Sequence, residues 1–266
     1  MLHIVTFATD ESKLIHLKRT SELAGLDVTF LMKSKWMGWD GRLSWIMEFM
    51  ENIPDNDVIC FIDAYDVLAF SNKDEILDKF YKFNSNLVLG AELNCYPQHI
   101  KNTYPQTSNS TNYKYVNAGG YIGYKHAIEK LFTWKPFDEI AKLSMSEVGG
   151  DQHYVSLYYI VNYTSIALDT NCSIFQNMHW VNWNDFDIVN GRIINRVLQT
   201  LPCFMHFNGQ CMWTDSLANI IPIIVDKLKQ NTNLREYRQL ITNTQHPRNQ
   251  VGPLETSKLS WRRKFL

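Results

Sequence analysis

At 266 residues and 45% hydrophobic content the chain is long enough for one large domain or two small ones around a full-sized core, which excludes global disorder. A net charge of −1 and a pI near 6.7 leave no electrostatic footprint for nucleic acid or an anionic membrane. No stretch approaches a membrane span, and the five cysteines (Cys60, Cys95, Cys172, Cys203, Cys211) lack C-x-x-C spacing, so neither a disulfide framework nor a zinc site is indicated.

Residues 2–7 (LHIVTF) read as a buried strand. Asp10 is placed to cap a helix over about 11–24, with Leu14, Leu17 and Leu23 near one face; Gly25 stops it, and 28–32 is the next strand. That β-α-β unit predicts a parallel crossover. It has no G-x-G-x-x-G and no Walker lysine, which removes the dinucleotide and P-loop readings. A nucleotide at the 7–9 turn and an ordinary βα connection both stay open. Residues 35–42 (KWMGWDGR) read as a loop, either a mobile flap that sets Trp36 against substrate or a hydrophobic lid on the core. A helix over 43–52 follows.

The central stretch is 58–70 (VICFIDAYDVLAF). Its first five residues are continuously apolar, as in a strand buried on both faces. A carboxylate abutting that run is costly inside a core, so the strand ends and Asp63 and Asp66 emerge at its carboxyl edge, where open α/β sheets bind ligands. Two hard oxygen ligands three residues apart can grip one divalent cation and leave positions for phosphate oxygens. The structural alternative has Asp66 capping the next helix and Asp63 paired with a lysine.

A helix over 73–83 and a strand over 87–91 ending in Glu92 come next. From 93 to 114 periodicity is lost, in a segment too long to be an idle connection. Strand character returns at 116–124, where Gly119, Gly120 and Gly123 mark a bulge or the close approach of a ligand. A helix over 125–133, a connector over 136–148 and a further helix opening at 149–152 (GGDQ) follow, with Asp151 at the N-cap. Short strands at 166–169 and 172–176 precede a hairpin over 180–194 around Asn190-Gly191. A last, strand-like apolar run from 201 ends in His206, Asn208 and Gly209; such a histidine is ordinarily a core side chain unless acids await it. Two helices and a polar tail complete the chain, divided as 1–225 and 226–266.

Taken in order, the segments 4–9 (IVTFAT), 61–68 (FIDAYDVL), 91–97 (AELNCYP), 117–124 (NAGGYIGY), Asp151-Gln152, 168–177 (LDTNCSIFQN), 206–209 (HFNG) and 219–222 resemble the N-terminal glycosyltransferase domain of the procollagen lysyl hydroxylases, stand-alone viral versions included. The resemblance implies a GT-A fold of the α/β class: a Rossmann-like mixed sheet flanked by helices, with a small antiparallel hairpin and a C-terminal helical extension. It further implies transfer of glucose from UDP-glucose to galactosyl-hydroxylysine of collagen-like proteins, with Mn²⁺ as cofactor. Metal-holding carries over to Asp63, Asp66 and His206, uridine and ribose contacts to Phe7, Thr9 and Tyr65, and diphosphate contacts to Asn208 and Gly209. Asp63, as a metal ligand, also belongs to the donor-binding set. Tyr96, Asn117 and Gln152 fall on the substrate side. Asp151, positioning donor hydroxyls, and Asp66 are the expected catalytic residues.

Three departures accompany the match. Tyr96 stands where relatives carry Trp, the acidic stretch before Gln152 shrinks to Asp151 alone, and Met212 lies near the place of an expected lysine. Hydroxylysine galactosyltransferase, UDP-sugar hydrolase and a non-catalytic sugar- or collagen-binding module remain as alternatives. The expected partners are a UDP-sugar and a collagen-like polypeptide, without nucleic acid or membrane and with a homodimer left open. With no signal peptide in the chain, a soluble protein of host cytoplasm or virion is expected, and the secretory pathway enters only by family analogy.

Overall fold

The computed structural model describes residues 1–106, 111–136, 138–139, 142, 150–209, 224 and 226. Most of the 136–148 connector, Cys211, Met212, the 219–222 segment, the two late helices, the tail and the expected boundary at 225/226 lie outside the described residues.

The chain begins β1 (Leu2–Ala8), α1 (Ile15–Ala24), β2 (Thr29–Met32), α2 (Gly38–Met50), β3 (Val58–Ile62) and β4 (Val67–Ala69). It continues α3 (Lys73–Lys82), β5 (Leu87–Glu92), β6 (Tyr115–Tyr124), α4 (Lys125–Phe132) and α5 (Gly150–Asn162), then β7 (Ala167–Asp169) and β8 (Phe175–Asn177). A hairpin of β9 (Phe186–Val189) and β10 (Arg192–Asn195) leads to β11 (Phe204–His206). The main sheet has the order β2-β1-β3-β6-β5-β7. β1 runs parallel to β2 and β3, whereas β6 is antiparallel to both β3 and β5, which makes the sheet mixed as expected of the GT-A class.

The continuous apolar reading of β3 has a direct cause. Ile59 and Phe61 face a layer closed by α2, α4 and α5 (Leu43, Ile46, Ile128, Leu131, Tyr154, Tyr158), and Val58, Cys60 and Ile62 face a layer closed by α1 and α3 (Leu17, Ile76, Phe80). Alternate residues thus bury on opposite faces, each apolar side chain contributing roughly 1.5–3 kcal/mol. Asp10 caps a 3-10 turn (Glu11–Leu14) by accepting the Ser12 N–H at 3.0 Å, and Gly25 ends α1 at φ 63°. Asn190 and Gly191 both take positive φ, as the tight hairpin requires.

Local expectations shift in four places. α2 begins at Gly38 rather than 43, so Trp39 and Arg42 are helical; the two glycines and an N-cap residue, Met37, without a side-chain cap hide that start. Asp66 caps no helix but precedes β4, a strand of three residues, too short to show a period. Asp151 is the second residue of α5 instead of its cap. The stretch before β9 is a 3-10 turn, Trp183–Asp185, not strand. The irregular 93–106 and 111–114 stretches are packed down, with Cys95, Ile100, Tyr104 and Tyr113 buried. Cys60, Cys95, Cys172 and Cys203 are buried free thiols, and among the described residues no helix is long and apolar enough to cross a membrane.

Candidate active site

β3 releases Asp63 one residue past its end, and the Asp63 N–H still donates to the Gly119 carbonyl at 2.8 Å, tying the acid to β6. The turn through Asp66 returns as β4, which joins the small sheet β4-β11-β8. β11 pairs antiparallel with β4 in a register that sets His206 opposite Val67, one residue from Asp66. The imidazole Nε2 consequently lies 3.2 Å from Asp66 Oδ2 and 3.4 Å from Asp63 Oδ2. One ligand atom from each of the three residues lies within 4.8 Å of the others.

The far side of the ring fixes its tautomer. Nδ1 faces Asn177 Oδ1 at 2.9 Å and Asn117 Oδ1 at 3.2 Å. Both amides are oriented independently: Asn177 Nδ2 donates to the Ala91 carbonyl at 2.8 Å, and Asn117 Oδ1 accepts the Gly119 N–H at 2.9 Å. Nδ1 therefore carries the hydrogen and Nε2 turns its lone pair toward the acids. Burial works against a charged imidazole, but Asp66, then Asp63 and Glu92, outweigh it and hold His206 above its ordinary range. Two carboxylates and an imidazole match Mn²⁺ or a similar divalent ion, whose charge would replace that proton. A Cβ at Gly119 would come within 2.6 Å of Asp63 Oδ2 and overlap the His206 ring, so the cradle needs glycine there.

Arg42 of α2, only 6% exposed, was hidden by the loop reading of 35–42. Its guanidinium donates to Asp63 Oδ1 at 2.7 Å, forms an ion pair with Asp151 Oδ2 at 3.1 Å, and stacks 4.4 Å above the Phe61 ring. Burial pushes Asp151 up to about 6, with Arg42 opposing and Asp63 adding to the rise. Burial also opposes the Arg42 charge, but Asp63 and Asp151 outweigh it and raise its proton affinity.

Glu92, expected only as the end of a strand, is 2% exposed and gathers three amides. Its Oε1 accepts from Gln152 at 2.7 Å and Asn117 at 3.2 Å, and its Oε2 accepts from Asn208 at 3.0 Å. Burial raises it to about 7 despite those donors. Asn208 Oδ1 in turn accepts the Met178 and His179 N–H groups, both at 3.0 Å, which docks the 206–209 turn onto the segment after β8.

The remaining expected residues ring this centre at different depths. Tyr65, between the acids, accepts the Thr9 and Asp10 N–H groups at 2.7 and 2.9 Å, joining the end of β1 to the acidic turn. The Phe7 ring packs in the core against Phe61 and Trp45, with centroids at 5.8 and 5.9 Å. Gly209 takes φ +63° on the surface. Tyr96 is exposed, and its carbonyl accepts from Gln152 at 3.4 Å. Trp36, 51% exposed, meets Trp39 and Trp45 edge-on at 5.2 and 6.0 Å, so the aromatic segment is tied to the core through Trp45.

The family described as the PLOD GT domain matches residues 1–230. An uncharacterized protein of Acanthamoeba polyphaga mimivirus is 31% identical, over 65% of this chain and 36% of its own length. The multifunctional procollagen lysine hydroxylase and glycosyltransferase LH3 of Homo sapiens is 28% identical, over 83% of this chain and 31% of its own. The chain thus spans about a third of the length of these curated relatives. Among solved structures, the galactosyltransferase LgtC in complex with donor and acceptor sugar analogs aligns with a TM-score of 0.48 and 14% identity, covering 90% of this chain and 99% of that one.

Proposed function

The chain belongs to the PLOD GT domain family, and from that membership we propose that it is a UDP-sugar hexosyltransferase that moves glucose from UDP-glucose onto galactosyl-hydroxylysine of a collagen-like polypeptide, with Mn²⁺ as its metal. The observation that carries this reading is the convergence of Asp63, Asp66 and His206 at the carboxyl edge of β3. A divalent ion held there supplies Lewis-acid neutralisation of the charge that gathers on UDP as the anomeric bond breaks. Arg42 occupies Asp63 Oδ1, so Oδ2, the oxygen facing His206, is the one left to bind. His206 binds through Nε2 while Asn177 and Asn117 hold its Nδ1–H.

Asp151, kept ionised near neutrality by Arg42, orients donor hydroxyls and opposes positive charge at the anomeric carbon. Tyr65 and Thr9 form the nucleoside side, and Asn208 shapes the turn from which the Gly209 backbone meets diphosphate oxygens. Gln152 and Asn117, both held by Glu92, face the acceptor side with Tyr96.

The test is UDP release from UDP-glucose, UDP-galactose and UDP-GlcNAc with collagen peptides, bare or galactosylated, in EDTA and after adding Mn²⁺. Turnover is expected with UDP-glucose and the galactosylated peptide, lost in EDTA and restored by Mn²⁺. Full activity in chelator overturns the metal site; turnover indifferent to any peptide makes the protein a hydrolase.

A further inference from the structure

A cleft of about 480 Å³ opens with Asn94, Gln98, Lys101, Lys114, Tyr115 and Trp180 among its walls. Tyr115, in its wall, is the cross-strand partner of Glu92 at the amide cluster just described. One wall follows directly on Glu92, and Tyr115 sits two residues before Asn117 on β6, hence on the same face and roughly 7 Å away along the strand. The opposite wall follows His179, whose N–H is held by Asn208 and whose ring lies against Gly209. The cleft is thus bounded by residues on both sides of Tyr96 in the chain and by Trp180, the residue that follows His179.

Its chemistry is one-sided. Lys101 and Lys114 are exposed and have no carboxylate partner among the described residues, and no acid is among the residues lining the cleft. Asn94, Gln98 and Asn112 add amides suited to a peptide backbone. Trp180, in the cleft wall, is 70% exposed, takes φ +64°, a conformation unfavourable for a bulky residue, and lies with its ring 5.4 Å from that of His179. We infer that this cleft seats an acidic segment of the acceptor polypeptide, its carboxylates paired with Lys101 and Lys114 and its chain laid against Trp180. The inference rests on the hexosyl-transfer reading and adds to it a preference for acceptors with acidic neighbours.

The test compares two collagen-like peptides carrying the same galactosyl-hydroxylysine, one flanked by Asp and Glu and one by Asn and Gln, by fluorescence anisotropy without turnover. The wild type is expected to bind the acidic peptide more tightly, with an advantage that fades as salt rises. Lys101→Glu with Lys114→Glu should weaken the acidic peptide by about tenfold or more and leave the neutral one within about twofold. Trp180→Ala should weaken both. Circular dichroism should be unchanged in all variants, which certifies their fold. Equal binding of both peptides by the wild type, or an equal loss for both in the lysine variant, overturns the inference. Lysine-dependent binding in a protein that releases UDP from no UDP-sugar overturns the transfer reading alone.

Discussion

At Gly119 the chain has no room for even a methyl group, because Asp63 Oδ2 and the His206 ring fill the space that a Cβ would take. Gly119→Ala is expected to lower Mn²⁺ affinity by roughly 10- to 100-fold, the usual cost of disturbing the support of metal ligands. A Mn²⁺ titration followed by electron paramagnetic resonance measures this directly, with circular dichroism to show retained secondary structure. Asp151 gives a second prediction, in pH. Burial raises its carboxyl from 3.8 to about 6, so it is protonated below that value and charged above it. Activity should therefore climb through about pH 6 if the charged form is the working one. Arg42→Met removes the cation that opposes the rise, and the acidic limb should move to higher pH while the maximal rate falls. A kcat/KM profile of both proteins checks the direction; an unmoved limb assigns it to another group. These side chains differ in how legible they were. Asp63 and Asp66 stood out because charge interrupts an apolar run, whereas Arg42 and Glu92 did not, since burial and ion pairing leave no mark on a single residue type.

Among the elements, the β9–β10 hairpin is anchored by one cation. Arg192 donates to both carboxylate oxygens of Glu75 in α3, at 2.6 and 2.7 Å, and to Ser71 Oγ at 2.9 Å. Burial opposes the Glu75 charge, but Arg192 and Lys79 outweigh it and hold the carboxyl down at about 2. Because the folded value is depressed, the stabilisation is present above the ordinary 4.5 and is lost as pH falls toward 2. Arg192→Ala leaves Glu75 half-paired with Lys79 and is expected to cost ~2 kcal/mol, below the figure for a fully buried pair since Glu75 retains some exposure. Urea denaturation at pH 7 and pH 3 reads both parts: the loss at pH 7 and a flatter pH dependence in the variant. The hairpin itself was plain in the sequence through Asn190-Gly191, and β3 through its unbroken apolar run. The apolar run ending in His206 reads as strand, as β11 is, whereas β4, three residues long, carries no readable period. They exist because they pair with each other, and pairing between distant segments is a tertiary fact.

For the whole molecule, only the first β-α-β step was written in local pattern, and β1 and β2 pair in parallel as it requires; the placing of β6 between β3 and β5, antiparallel to both, is a long-range pairing that no local pattern carries. The proposed metal site is not local, since Asp66 and His206 stand 140 positions apart. Family resemblance, not periodicity, joined them in the sequence, and the β4–β11 register supplies the physical reason. If the three ligands hold an ion only in the folded state, Mn²⁺ should raise the melting temperature in proportion to the logarithm of its concentration. His206→Ala should abolish the shift, which differential scanning fluorimetry with and without the metal would report.

That same strand pairing has a meaning for biogenesis. When the first seventy or so positions have left a ribosome, both acids are already made, but nothing yet clamps an ion between them. The proposed clamp is complete only when β11 is laid beside β4, so capture of a cation there would mark the docking of a late-made strand onto an early one. A nascent fragment ending before that strand should bind Mn²⁺ no better than any pair of surface carboxylates.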